Sequence, residues 1–190
     1  MKAWADPEPE LPPLRTPEGQ RARLDVILRG LRGMQAEHHP TAIEPLRSRE
    51  LVNDFLEDVH GHAGAVAGWR FAIGLRDRVS LVGVLVAGRA VAPATDPDSV
   101  LEVTRLALLD NAPPNSASRL LGAACRAAKA MGYRVVQSWL LEGEEGTAYR
   151  AAGFRPAGET PGGRRSRPGK PRRDDPRNAD LPKTRWERVL

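Results

Sequence analysis

A carboxylate stands inside an apolar run near the middle of the chain. Glu102 falls within Val100–Leu109, which reads as a buried strand. Burial raises a carboxyl pKa toward the range useful to a general base. A structural glutamate paired with Arg89 or Arg105 is the competing reading. His60 and His62 follow an amphipathic stretch and are alternative bases or acceptor-pocket residues, or else a polar cap. No third ligand with good spacing joins them, so no metal site is expected. Downstream, Asp110–Ser118 is a polar Pro/Asn/Ser turn, and an Ala-rich helix follows over Ala117–Met131. A strand leading through such a turn into a helix start presents free N–H groups and the positive end of a dipole. Asn115, Ser116, Ala117, Ser118 and Arg119 are therefore candidates for an anion site, or an ordinary helix cap.

The elements that must position these groups follow from periodicity. Gln20–Leu31 carries Leu24, Ile27, Leu28 and Leu31 on one face, an amphipathic helix beyond a Pro/Glu-rich start. Ala42–Leu46 is a short strand. Ser48 caps a helix over Arg49–Val59 with Leu51, Val52, Phe55, Leu56 and Val59 on one side. Arg70–Leu75 and Leu81–Val91 form a hairpin around Arg76–Ser80, the second strand apolar enough to be covered on both faces. Val135–Leu141 is a further strand, followed by a short helix ending before Gly153-Phe154. Thr184–Leu190 alternates as a terminal strand and is expected to pair with Phe154–Ala157. Strict alternation places Glu102, Thr104 and Leu106 on one face of their strand.

Composition bounds the function. The chain has 190 residues, one cysteine and a formal charge of +5. It is expected to be one domain from about Thr41 plus an N-terminal extension, cytoplasmic, without disulfide, signal or membrane span. Charge is uneven: eleven Lys/Arg and five Asp/Glu lie from Arg155 onward, against eighteen and nineteen before it. Gly158–Asp180 is Arg/Pro/Gly-rich and reads as a long loop inserted before the last strand. Such a run contacts a polyanion or is merely solvated.

The ordered set of segments resembles the GNAT superfamily of acetyl-CoA-dependent N-acetyltransferases, and most closely a branch found in phages and prophages. The resemblance is carried by Leu101-Glu-Val-Thr-Arg-Leu106, Asn115-Ser-Ala-Ser118, Ala123–Tyr133 and Arg150-Ala-Ala-Gly-Phe-Arg155. Upstream, Arg70–Gly74, Leu81–Val84, Gly88-Arg89 and the His60-x-His62 helix end also fit. One departure is plain: the usual glycine-rich pyrophosphate loop is here Asn115-Ser-Ala-Ser118.

The resemblance implies an α/β (α+β) fold with a mixed, mostly antiparallel sheet of six to seven strands, splayed between the fourth and fifth. It implies acetyl-CoA as cofactor, with its pyrophosphate at Asn115–Arg119 and its pantetheine arm along Leu106, Ala107 and Leu108. Tyr149, in Tyr-x-x-x-Gly-Phe, matches the tyrosine that protonates the leaving thiolate; a packed aromatic is the alternative. Trp69 and Trp139 are placed near the acceptor, or in the core. The acceptor is an amine, and the phage-type setting suggests an aminomethyl-type base in DNA, with Arg164 and Arg165 of the basic loop on phosphates. A small-molecule amine or a protein lysine is the alternative acceptor, and a catalytically degenerate binding module the alternative to an enzyme. The protein is expected as a monomer or homodimer.

Overall fold

The computed structural model describes residues 41–59, 65–78, 80–92, 94–162 and 181–190. The amphipathic segment Gln20–Leu31, His60, His62, Arg164 and Arg165 lie outside them.

Seven strands form one sheet. In chain order they are β1 (Thr41–Leu46), β2 (Phe71–Asp77), β3 (Ser80–Arg89), β4 (Val100–Leu108), β5 (Val135–Leu141), β6 (Arg155–Thr160) and β7 (Lys183–Val189). The spatial order is β1-β2-β3-β4-β5-β7-β6. Every neighbouring pair is antiparallel except β4 with β5. That parallel pair needs a crossover, supplied by helix α2 (Ser116–Ala130). Helix α1 (Arg49–Val59) joins β1 to β2, and the single-turn α3 (Thr147–Ala151) precedes β6.

The helices cover opposite faces. α1 starts where the Ser48 hydroxyl accepts the Leu51 N–H at 3.2 Å. It buries Val52 and Leu56 against Leu46, Ala72, Val84, Val86 and Ala107. α2 buries Leu120, Leu121, Ala124, Cys125 and Ala128 against Leu85, Ala87, Leu101, Val103 and Val136. β3 lies between both layers, so Val82 through Ala87 contain no exposed residue. That is the covered strand its continuous apolar run predicts.

Several boundaries differ from the sequence reading by a residue or more, and two of the differences follow from strand pairing. β2 runs on to Asp77 and β3 begins at Ser80, because Asp77 pairs with Ser80. β6 runs to Thr160, past the expected Ala157, because β7 gives it a partner as far as Lys183.

A larger difference lies in β4. Arg105 pairs with Val86 but Val103 pairs with Ala87, so Thr104 is an extra residue opposite β3. This β-bulge breaks the alternation. Leu101 and Val103 face the α2 layer, and after the bulge Leu106 and Leu108 do as well. Ala107 faces the α1 layer, and so does Glu102. The expectation that Glu102 and Leu106 share a face is therefore wrong, because one inserted residue reverses the parity.

α3 is held by a close approach. Gly146, at φ 62°, opens it, and a Cβ there would come within 2.5 Å of the Trp186 ring. Gly143, at φ 91°, has nothing within 4 Å of such a Cβ. Gly146→Ala should lose about 3 kcal/mol, from the left-handed backbone plus overpacking. Gly143→Ala should lose only the backbone part, about 1–2 kcal/mol. Urea unfolding of the two variants measures the difference.

Candidate active site

The ladder between β4 and β5 lasts four rungs, Val100–Val103 against Val135–Ser138. β4 continues beside β3 to Leu108, and β5 continues beside β7 to Leu141, but no longer beside each other. Beyond Val103 and Ser138 the two strands form a fork. The Leu109 N–H points to β3, where it meets the Val82 carbonyl at 3.0 Å. Alternation then directs the backbone of Ala107 toward β3, and that of Leu106 and Leu108 into the fork. Leu106 and Leu108 thus offer N–H and C=O groups where no strand pairs with them.

Polar side chains collect at the apex. Among the described residues four polar side chains are buried: Glu102, Ser116, Gln137 and Ser138. Three of them occupy the last two rungs, where Glu102 is opposite Gln137 and Val103 opposite Ser138. Buried polar groups are costly unless bonded, and each of these has a partner. The Gln137 amide donates to the Glu102 carboxylate at 2.8 Å. The Val91 N–H donates to the same oxygen at 3.3 Å. Burial is the largest influence on Glu102 and raises its pKa; Gln137, the Val91 N–H, Trp139 and the charge of Lys183 oppose it.

Ser138 points to the α2 side. Its hydroxyl donates to the Val103 carbonyl at 3.0 Å. Its oxygen lies 3.1 Å from the Tyr149 hydroxyl. A hydroxyl has one proton, and that of Ser138 is committed to a carbonyl, so Tyr149 is the donor of the pair. The Tyr149 ring keeps some solvent contact while packing edge-on to Phe154, with centroids 5.4 Å apart. Its hydroxyl is turned inward, and burial pushes its pKa up to about 12. At neutral pH it holds its proton.

The anion turn is built without glycine. Asn115 takes φ 65° at the α2 N-cap, a left-handed conformation that asparagine adopts more readily than most residues. Ser116 and Ser118 donate their hydroxyls back to Pro113 and Asn115 carbonyls. Neither caps the helix, and among the described residues no acceptor meets the Ala117 or Ser118 N–H. Arg119 is committed elsewhere: its guanidinium bonds the Thr41 hydroxyl and carbonyl, tying α2 to β1.

Trp139 follows Ser138 on the Glu102 face, half-buried, with the Arg185 guanidinium 6.0 Å from its ring centre. Trp69 borders the same face from the other side. A Cβ on Gly88, the partner of Glu102, would meet the Trp69 Cα at 3.5 Å. Arg49 lies over the Trp69 ring at 5.7 Å. The fold therefore sets Glu102, Trp69 and Trp139 on one face of the sheet and Tyr149 on the other, with the Leu106–Leu108 edge running on from the fork between them. Gln137 and Ser138 belong to this site as well. In the sequence they are two polar residues in an apolar strand, and that exception to the pattern was the available signal.

Comparison with known proteins fits this geometry. The profile of the Mom protein family matches residues 46–164. No curated protein matches the chain. Among solved structures, a Bacillus subtilis acetyltransferase in complex with CoA is 14% identical with a TM-score of 0.58, covering 80% of this chain and 99% of that one. Arabidopsis thaliana NAA60 in complex with acetyl-CoA is 10% identical with a TM-score of 0.59, covering 80% and 100%. The aminoglycoside 6'-N-acetyltransferase of Enterococcus faecium is 13% identical with a TM-score of 0.56, covering 78% and 96%. At these identities the likeness establishes the fold, that of the GNAT acetyltransferases. No helix among the described residues is long and apolar enough to cross a membrane.

A raised Glu102 pKa has a consequence for stability. Between the ordinary glutamate value of 4.5 and the raised folded value, the folded chain binds more protons than the unfolded one. Stability then falls as pH rises through that window. Glu102→Gln removes the ionisation, so the variant should gain on the wild type at pH 7. The gap should close as pH falls below 4.5, which thermal melts across pH will read.

Proposed function

The chain belongs to the Mom protein family, and we propose that it is an acetyl-CoA-dependent N-acetyltransferase acting on a primary amine. One observation carries this reading: among the described residues, three of the four buried polar side chains stand on the last two rungs before β4 and β5 part. A sheet that spends buried polar groups at a break in its own ladder needs a reason beyond stability.

The residues suit the cofactor. The uncapped N–H groups of Ala117 and Ser118 at a helix start fit a pyrophosphate. The unpaired backbone of Leu106 and Leu108 fits an amide-bearing arm laid along it as a strand would be. Acetyl-CoA held there would supply a thioester carbon for the amine nitrogen, with the thiolate as leaving group taking the carbon–sulfur electron pair. Glu102 receives the proton that the nitrogen gives up, and its raised pKa makes it a better base than an exposed glutamate. Tyr149, held at the next rung by Ser138, has one O–H, which would turn from Ser138 to the sulfur as the carbon–sulfur bond breaks. A thiol titrates near ~8.5, so complete transfer from a phenol at about 12 is uphill by roughly 5 kcal/mol. Tyr149 therefore acts as a hydrogen-bond donor to the departing sulfur rather than as a strong acid.

The acceptor we propose is an amine carried on DNA, of the aminomethyl-base type that the phage-like resemblance suggests. Lys183, Arg185 and Arg155 share the Trp139 face by register. With the basic run that contains Arg164 and Arg165, they supply cations for phosphates, and Trp139 and Trp69 supply rings for a base.

Calorimetry with acetyl-CoA comes first, and an absence of binding at tens of micromolar would sink the enzyme reading. Glu102→Gln should lower kcat by about 10²–10⁴-fold while leaving acetyl-CoA affinity within about twofold. Mass spectrometry of duplex DNA, with and without 5-aminomethyluracil, then tests the acceptor. A mass gain of one acetyl group on the modified duplex alone is expected. Inert DNA beside an acetylated polyamine would end the DNA proposal.

A further inference from the structure

Gln137 and Ser138 are consecutive residues on β5, so their side chains leave opposite faces of the sheet. Each is almost wholly buried, at 1% and 3% exposure. Each bonds one of the two groups that the proposed chemistry requires. Gln137 holds the Glu102 carboxylate on the face of Trp139 and Arg185. Ser138 holds the Tyr149 hydroxyl on the α2 face. Both sit on the last two rungs before the fork opens.

We infer that Gln137-Ser138 is the positioning element of the site, a dipeptide that aims the base from one face of the sheet and the O–H donor from the other. The inference rests on the acetyl-transfer reading and deepens it.

The two bonds differ in kind. The Gln137 amide has only donors to offer the carboxylate through its nitrogen, so it favours the ionised form of Glu102. The carboxylate oxygen it holds also accepts from the Val91 N–H, and the Trp139 indole is a further donor to the carboxyl, so Glu102 is held from several sides. Ser138 works by having no proton to give. Because its own proton goes to the Val103 carbonyl, it can only accept, and Tyr149 must donate. The phenolic oxygen is thereby held at the apex of the fork, with its O–H resting on Ser138 until a departing sulfur takes the place of Ser138 as acceptor.

Other charges face Glu102. Lys183 acts on it from β7. Arg185 and Glu187 of the same strand are paired with each other at 2.9 Å. Arg105, beyond the bulge, donates to the Thr104 carbonyl at 2.7 Å, and Arg70 is exposed at the start of β2.

The test uses the full chain, labelled with ¹³C at glutamate side-chain carboxyls. Gln137→Met keeps length and removes the donor; it should shift the Glu102 titration upward by about one unit relative to wild type. An unchanged titration overturns the assignment of Gln137. The parallel arm follows thiol release from acetyl-CoA with 5-aminomethyluracil duplex or spermidine as acceptor. Gln137→Met should move the acid limb of its pH profile by the same amount. Ser138→Ala should lower kcat about tenfold at constant KM for acetyl-CoA, and Ser138→Thr, which restores the hydroxyl, should recover most of it. A Ser138→Thr variant as slow as Ser138→Ala overturns the assignment of Ser138. A shifted Glu102 titration with no thiol release from any amine would instead remove the acetyl-transfer reading and leave the Gln137–Glu102 bond as assigned.

Discussion

The structure depends on one interruption. β4 and β5 pair for four rungs and then part, although each keeps its other neighbour. The cause is visible in β4. Thr104 is inserted opposite β3, and a bulge of this kind bends and twists its strand. The bend turns β4 away from β5 at the rung where pairing stops. Two consequences follow together. Backbone groups at Leu106 and Leu108 are left without a strand, and the apex becomes a place where polar side chains are needed. Ser138 meets the Val103 carbonyl there, as a ladder bond would have done further back.

The surroundings keep the fork from closing or loosening. β3 is covered on both faces, so β4 rests on a strand that cannot shift. α2 leaves the end of β4, crosses the sheet over Leu85, Leu101 and Val136, and delivers the chain to β5. Its first turn consequently lies at the open end of the fork, with free N–H groups directed outward. Arg119 fastens that turn to β1. α3 and Trp186 support Tyr149 from below, with Gly146 making room for the indole. An anion site, an unpaired edge, a buried carboxylate and a buried phenol are thus arranged in series by ordinary packing.

Much of this was legible in the residues. Apolar spacing located every described strand, and the bounds of α1 and β5 to the residue, because those segments carry strong and uninterrupted periodicity. The sheet class and its splay came from the GNAT superfamily that the order of segments resembles. The bulge was not legible, since Thr104-Arg105 suits a regular strand as well as a bulged one, and parity misplaced Leu106 for that reason. The anion turn lacked its glycines on paper; in the fold, Asn115 takes the left-handed conformation that a glycine would otherwise take. Glu102 was visible as an exception to its surroundings, and Tyr149 through the Tyr-x-x-x-Gly-Phe resemblance. Their partners were not, because Gln137 and Ser138 acquire meaning only when β5 is laid beside β4.

The central claim is that the unpaired edge of β4 receives an acyl-CoA donor. Amide hydrogen exchange measures it directly. Leu106 and Leu108 N–H groups, having no strand to bond, should exchange quickly in the free protein and slow by about tenfold or more on saturation with acetyl-CoA, together with Ala117 and Ser118. Unchanged exchange at these four amides under saturating acetyl-CoA would contradict the account.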